Sequence, residues 1–165
     1  MKELTIFEEH VPAGELSPRE VDGELILCFE QRQKARQRAR LQSNHEIGIQ
    51  LDRGTILRGG DFLKARGDLV VRVVAAPEAV SNVTSEDPLL LARAAYHLGN
   101  RHVHLQVGPG FLRYLSDHVL DHMVESLGLA VTHEELPFEP EAGAYALGHS
   151  HGHSHSHGHS DDHEH

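Results

Sequence analysis

The sequence is short of four things, and each shortage excludes something. Cysteine occurs once in 165 residues, at Cys28, so no disulfide can form within the chain. Cys28 lies in the apolar run Leu25-Ile26-Leu27-Cys28-Phe29 and reads as a small buried residue rather than a ligand. Tryptophan is absent and aromatics make up only 5%, so the cores must be built from aliphatic side chains. No run approaches the ~18 apolar residues of a membrane span, and the opening MKELTIFEEH has no apolar signal core; together these imply a soluble, cytoplasmic protein. Positive charge is also scarce. A formal net charge of −10 argues against general affinity for nucleic acid or a membrane surface.

Histidine is what the chain has in excess. Of 16, eight fall in the last seventeen residues, HSHGHSHSHGHSDDHEH. These are His149, His151, His153, His155, His157, His159, His163 and His165. The segment has almost nothing apolar to bury, which predicts a disordered tail over 138–165. A neutral imidazole offers a lone pair to a borderline metal, and affinity rises from Co²⁺ through Ni²⁺ to Cu²⁺. Protons compete for the same lone pair near pH ~6.5. An engineered tag is the plain alternative, but a tag is usually an unbroken run. Here Gly or Ser interrupts at alternate positions.

The body reads as α+β. Residues 1–75 form a small β domain, with strands at LTIF, ELILCF, EIGIQL and LVVRVVA punctuated by glycine. RQKARQRARLQ alternates Arg32, Lys34, Arg36, Arg38 and Arg40 with smaller or apolar residues, a strand with one basic face. That face is either simply solvated or a docking surface for an acidic protein. After a linker at 76–78, residues 79–137 give strand, helix, strand, strand, helix, strand. This βαββαβ order is the ferredoxin-like split, with both helices on one face of an antiparallel sheet. Ser85 and Ser116 are the expected N-caps, and Gly99-Asn100 the expected stop of the first helix.

Folded histidines add two candidate sites. If 102–107 is a strand, His102, His104 and Gln106 share its open face while Val103, Leu105 and Val107 pack beneath the helices. A second subunit on that face would double each ligand across a two-fold axis. His118 and His122 stand at i and i+4 on the second helix, with Asp121 and Glu125 nearby. Ordinary polar surface accounts for either pair as well. A metal hydrolase built on His118, His122 and Glu125 lacks the HExxH pattern that supplies a general base. His97 suits the negative end of its helix. His10, His45 and His133 are assigned no role.

YHLGNRHVHLQ followed by PGFLRYLSDHVLDHMVESLGL resembles the metal-binding domain of the urease accessory protein UreE family, and LDRGTILRGGDFL resembles that family's Leu-x-Arg-Gly-Thr segment. The resemblance implies a homodimeric nickel metallochaperone rather than an enzyme, paired through the ferredoxin-like domain. It implies that His102 is the central metal ligand, facing its copy across the dimer axis, and that His118 is a secondary ligand. It implies delivery of Ni²⁺, with Zn²⁺ or Cu²⁺ as competitors, to a urease accessory GTPase and through it to apo-urease. The chain departs from the family pattern at Ser116, where some members carry a second histidine. His104 and His122 are candidate substitutes. A cytosolic store for nickel or zinc is the alternative function.

Overall fold

The computed structural model describes residues 4–16 and 21–143. Two sheets account for the strands. Strands β1 (Thr5–Val11), β2 (Gly23–Leu27), β3 (Arg36–Arg40), β4 (Glu46–Gln50), β5 (Phe62–Ala65) and β6 (Val70–Ala75) form a six-stranded sheet in the order β2-β6-β5-β1-β4-β3. Its pairings are mixed: β1 runs parallel to β4 and β2 parallel to β6, while the remaining neighbours are antiparallel. Alternation sorts the side chains. Leu25 and Leu27 of β2 are buried with Phe7, Ile47, Leu63 and Val73, while Ile26 between them is exposed.

Sequence pattern missed two features of this half. The Phe62–Ala65 strand, just after Gly59-Gly60, is too short to stand out. The expected strand through Cys28, Phe29 and Arg32 is instead broken by a four-residue helix, α1 (Phe29–Arg32). Cys28 is its N-cap and only half-buried, not a core residue as expected. Its N–H donates to Gln31 Oε1 at 3.0 Å, and the Phe29 N–H donates to Glu78 Oε2 at 2.8 Å, so the first turn is tied from both sides.

The second sheet holds β7 (Pro77–Thr84), β8 (Gln106–Gly108), β9 (Phe111–Leu115) and β10 (Val131–Pro137) in the order β10-β7-β9-β8, every neighbour antiparallel. With α2 (Pro88–Asn100) and α3 (His118–Ser126) between them, this is the ferredoxin-like βαββαβ arrangement. Val83, Leu112 and Tyr114 meet Ala94 and Leu98 of α2 and Leu120 and Val124 of α3, so both helices cover the same face. Aspartates rather than the expected serines cap them. Asp87 accepts from the Leu89 and Leu90 N–H groups, and Asp117 from those of Val119 and Leu120. The carboxylate reaches the two orphan donors, and its charge also suits the positive end of the helix. The β8–β9 turn needs Gly108, since a Cβ there would lie 2.1 Å from the Phe111 ring.

The opposite face of this sheet is covered at one end, while Leu115 on the same face stays exposed. Val80, whose side chain projects there, is buried with Phe29 and Phe138. Residues 138–141, expected to start a disordered tail, form a strap between the sheets. Phe138 is fully buried, and Glu139 pairs with Arg32 at 2.5 Å. Arg32 is fully buried as well, and so is no part of a basic strand face. Its guanidinium donates to the carbonyls of Leu27, Leu57 and Phe138 and lies 5.4 Å from the Phe29 ring. Burial lowers its pKa, and the Glu139 and Glu78 carboxylates oppose that. The remaining strap residues hold to the second sheet. The Glu139 N–H donates to Gln106 Oε1 at 3.0 Å, and the Glu141 N–H to the Leu105 carbonyl at 2.9 Å.

Candidate metal centre

His102 stands two residues beyond the end of α2. The helix ends at Asn100, at the expected Gly99-Asn100 stop, and His102 then takes the left-handed conformation at φ 56°. Its N–H donates to the Gly99 carbonyl at 3.0 Å, closing the helix end. Glycine is the usual residue there. A histidine holds the position at a cost of about 1–2 kcal/mol, and unusual backbone of this kind clusters at functional positions. The imidazole is exposed.

The expected strand over 102–107 is not formed. Only Gln106–Gly108 is strand, because the Leu105 carbonyl is taken by the strap and the turn at His102 reverses the chain just before it. His102 and His104 therefore do not share a strand face. Val103 and Leu105 do pack on the helical core, but Val107 is half exposed. His104 lies edge-on to Phe29, ring centroids 5.0 Å apart, and Phe29 in turn meets Phe138 at 5.6 Å. One ring face of a potential ligand is thereby steadied by a buried aromatic.

His118 and His122 are exposed on α3, one turn apart, as their spacing predicts. Asp121 does not join them. It turns inward, buried, and accepts from the Tyr114 hydroxyl at 2.8 Å while its other oxygen meets His133 Nε2 at 2.7 Å. Burial pushes the Asp121 carboxyl up, but the neighbouring Ser81 hydroxyl, His133 and Tyr114 together outweigh that and leave it below its usual value. The Tyr114 phenol is pushed well above its ordinary range, first by burial and then by the Asp121 carboxylate. Ser81, Tyr114 and His133 lie opposite one another across β9, β7 and β10, so this cluster fastens α3 to the sheet. His133, assigned no role above, belongs to it; only its pairing register across the sheet with Ser81 could have pointed to it.

Among the described residues, no group of three or more His, Cys, Asp or Glu side chains is placed to hold a metal ion. Among the described residues, His102 and the His118–His122 pair are thus incomplete donor sets. His149, His151, His153, His155, His157, His159, His163 and His165 lie outside the described residues. No helix among those described is long and apolar enough to cross a membrane. Leu89 and Tyr96 of α2 and Val119 of α3 are apolar yet 58%, 66% and 50% exposed, which leaves this half of the molecule with uncovered hydrophobic surface.

Comparison with known proteins covers both halves. The family described as UreE urease accessory protein, N-terminal domain, matches residues 8–76, and the corresponding C-terminal domain matches 78–165. Urease accessory protein UreE of Pseudomonas putida strain W619 is 60% identical over 126 residues, covering 76% of this chain and 78% of its own. The protein of the same name from Alkalilimnicola ehrlichii is 60% identical over 124 residues, covering 75% and 76%. That of Teredinibacter turnerae is 49% identical over 142 residues, covering 86% and 90%.

Proposed function

The chain belongs to the UreE family of urease accessory proteins, and from that premise we propose that it is a nickel metallochaperone acting in the cytoplasm. Two copies pair through their ferredoxin-like domains, and the uncovered Leu89, Tyr96 and Val119 supply apolar surface for the contact. His102 of each copy then binds one Ni²⁺ between them. The observation that carries this reading is the exposed imidazole held at a left-handed helix terminus, with no group of three donors assembled around it among the described residues. A site finished only by symmetry needs one ligand per protomer.

The tail imidazoles complete and load the site. They capture nickel from dilute solution and complete the ion's coordination as exchangeable ligands. A cage of two fixed and several replaceable ligands can hand an ion on one bond at a time, whereas four fixed ligands would retain it. The ion passes to the urease accessory GTPase and through it to apo-urease. His118, with His122, is a secondary site, and His104 a neighbour available to an ion at His102. The chain performs no catalysis of its own.

The abundance of histidine, 16 in all, favours storage as a second reading. Calorimetric titration with nickel separates the two, using the intact chain, a chain cut after Leu147, and His102→Ala. A chaperone keeps one tight site per dimer after the cut and loses it with His102→Ala. A store loses its nickel binding with the tail.

A further inference from the structure

The basic strand has a use that the histidines do not explain. β3 is the last strand of its sheet and, among the described residues, ladders only with β4; just beyond its end the Gln42 N–H donates to the Glu24 carbonyl of β2 at 2.9 Å, so the other edge is free only over Arg36–Arg40. Two hydrogen bonds fix the phase of that pairing: the Leu51 N–H donates to the Ala35 carbonyl at 2.7 Å, and the Leu41 N–H to the His45 carbonyl at 3.0 Å. Odd-numbered residues therefore turn their backbone groups toward β4. Arg36, Arg38 and Arg40 turn theirs to the free edge.

The side chains of the same three arginines share one exposed face. Arg40 is engaged by Glu46 at 2.9 Å and Asn44 at 3.2 Å. Arg36 and Arg38 have no ion pair or hydrogen bond from their side chains among the described residues, in a chain where acids outnumber bases 25 to 15. The other face of the strand is anchored, with Ala35, Ala39 and Leu41 packed on the core. Among the described residues the edge over Arg36–Arg40 is thus anchored, its outward backbone groups unmet and two adjacent guanidinium groups unneutralised, with Gln42 beyond it tied to β2.

We propose that the β3 edge docks an extended acidic segment of a partner protein, which adds as a further strand with carboxylates at alternate positions. In an antiparallel addition the residues directly opposite Arg36 and Arg38 exchange both backbone hydrogen bonds and project on the arginine face. Alternate Asp or Glu residues there form charge-assisted pairs with the guanidinium groups. Nucleic acid is disfavoured, because neither β3 nor β4 carries an aromatic on which a base could stack. Cations on an edge also discourage pairing between copies. That simpler role predicts no acidic ligand, so experiment separates the two. The proposal does not depend on the nickel reading.

The test uses the full chain and a fluorescein-labelled peptide of alternating glutamate and threonine, followed by fluorescence anisotropy. Saturable binding that weakens with added salt is expected, and R36E/R38E should weaken it at least tenfold. The same peptide N-methylated at its glutamates keeps the charge but loses the donors facing β3, and should also bind at least tenfold more weakly to the native chain. This second comparison stands even if the double variant folds poorly. Absence of saturable binding, equal affinity for R36E/R38E with an unchanged melting curve, or equal affinity of the N-methylated peptide would each overturn the proposal. So would a change of oligomeric mass in R36E/R38E, which would make a second copy the occupant.

Discussion

Glu139 accepts a 2.5 Å hydrogen bond from Nη1 of Arg32 across 107 positions of sequence, and the guanidinium it neutralises has no exposed surface. The pair joins the strap to the first sheet at the same point where Phe29 touches His104. Packing between the two sheets and the surroundings of a potential ligand thus share one buried charge.

Glu139→Ala should therefore destabilise the chain by about 3 kcal/mol, because it removes the one carboxylate hydrogen-bonded to the buried Arg32 and leaves it carbonyl partners and the through-space influence of Glu78. Glu139→Gln should cost less, since an amide oxygen still accepts. Urea unfolding midpoints of the three proteins check the order. A loss for Glu139→Ala within ~0.5 kcal/mol of zero, the range of an ordinary surface substitution, would contradict it.

Asp121 and Tyr114 should set the acid and alkaline limits of stability in the second domain. The folded Asp121 carboxyl lies below its unfolded value, so its contribution is complete above about pH 4 and is lost as pH falls through the folded pKa. Tyr114 is shifted the other way. Its contribution is complete below about pH 10 and is lost as pH rises beyond that, since only the unfolded chain ionises readily. Asp121→Asn should flatten the acid side of a stability–pH curve, and ultraviolet titration should show Tyr114 ionising above the ordinary tyrosine range.

The left-handed turn at His102 sets stability against ligation. His102→Gly should be more stable than His102→Ala by roughly 1 kcal/mol, because glycine adopts φ 56° without strain. Thermal melts of the two variants measure the difference. Neither should retain the tight nickel site.

His118→Ala/His122→Ala should leave the tight site intact and remove at most one weaker site, since Asp121 is turned into the core and only two donors remain on that face. Nickel titration of the chain cut after Leu147 isolates this effect. Loss of the tight site would make α3 the primary centre.

What could be read in the sequence depended on the range of the interactions involved. The ferredoxin-like order was legible because α2 and α3 carry apolar stripes and a glycine turn joins β8 to β9 between them. The i, i+4 geometry of His118 and His122 was legible for the same local reason. The strand face expected for His102 and His104 was not. HVHLQV alternates as a strand should, but the strap takes the Leu105 carbonyl from 36 positions away, and the left-handed turn at His102 reverses the chain just before it. Arg32 fitted a period-2 basic face that is real only from Arg36 onward. Its burial depends on Glu139 and Phe138, which no local pattern around α1 could reveal. Asp121 looked like a companion of the α3 histidines because the helical period places it beside them, whereas its partners come from β9 and β10.

The central claim is that one nickel ion is shared by His102 of two protomers. Native mass spectrometry of the chain cut after Leu147, loaded with limiting nickel, tests it most directly. The account predicts a dimer carrying one ion, and a bare dimer for His102→Ala. A monomer retaining nickel, or a dimer carrying two equivalent ions, would contradict it.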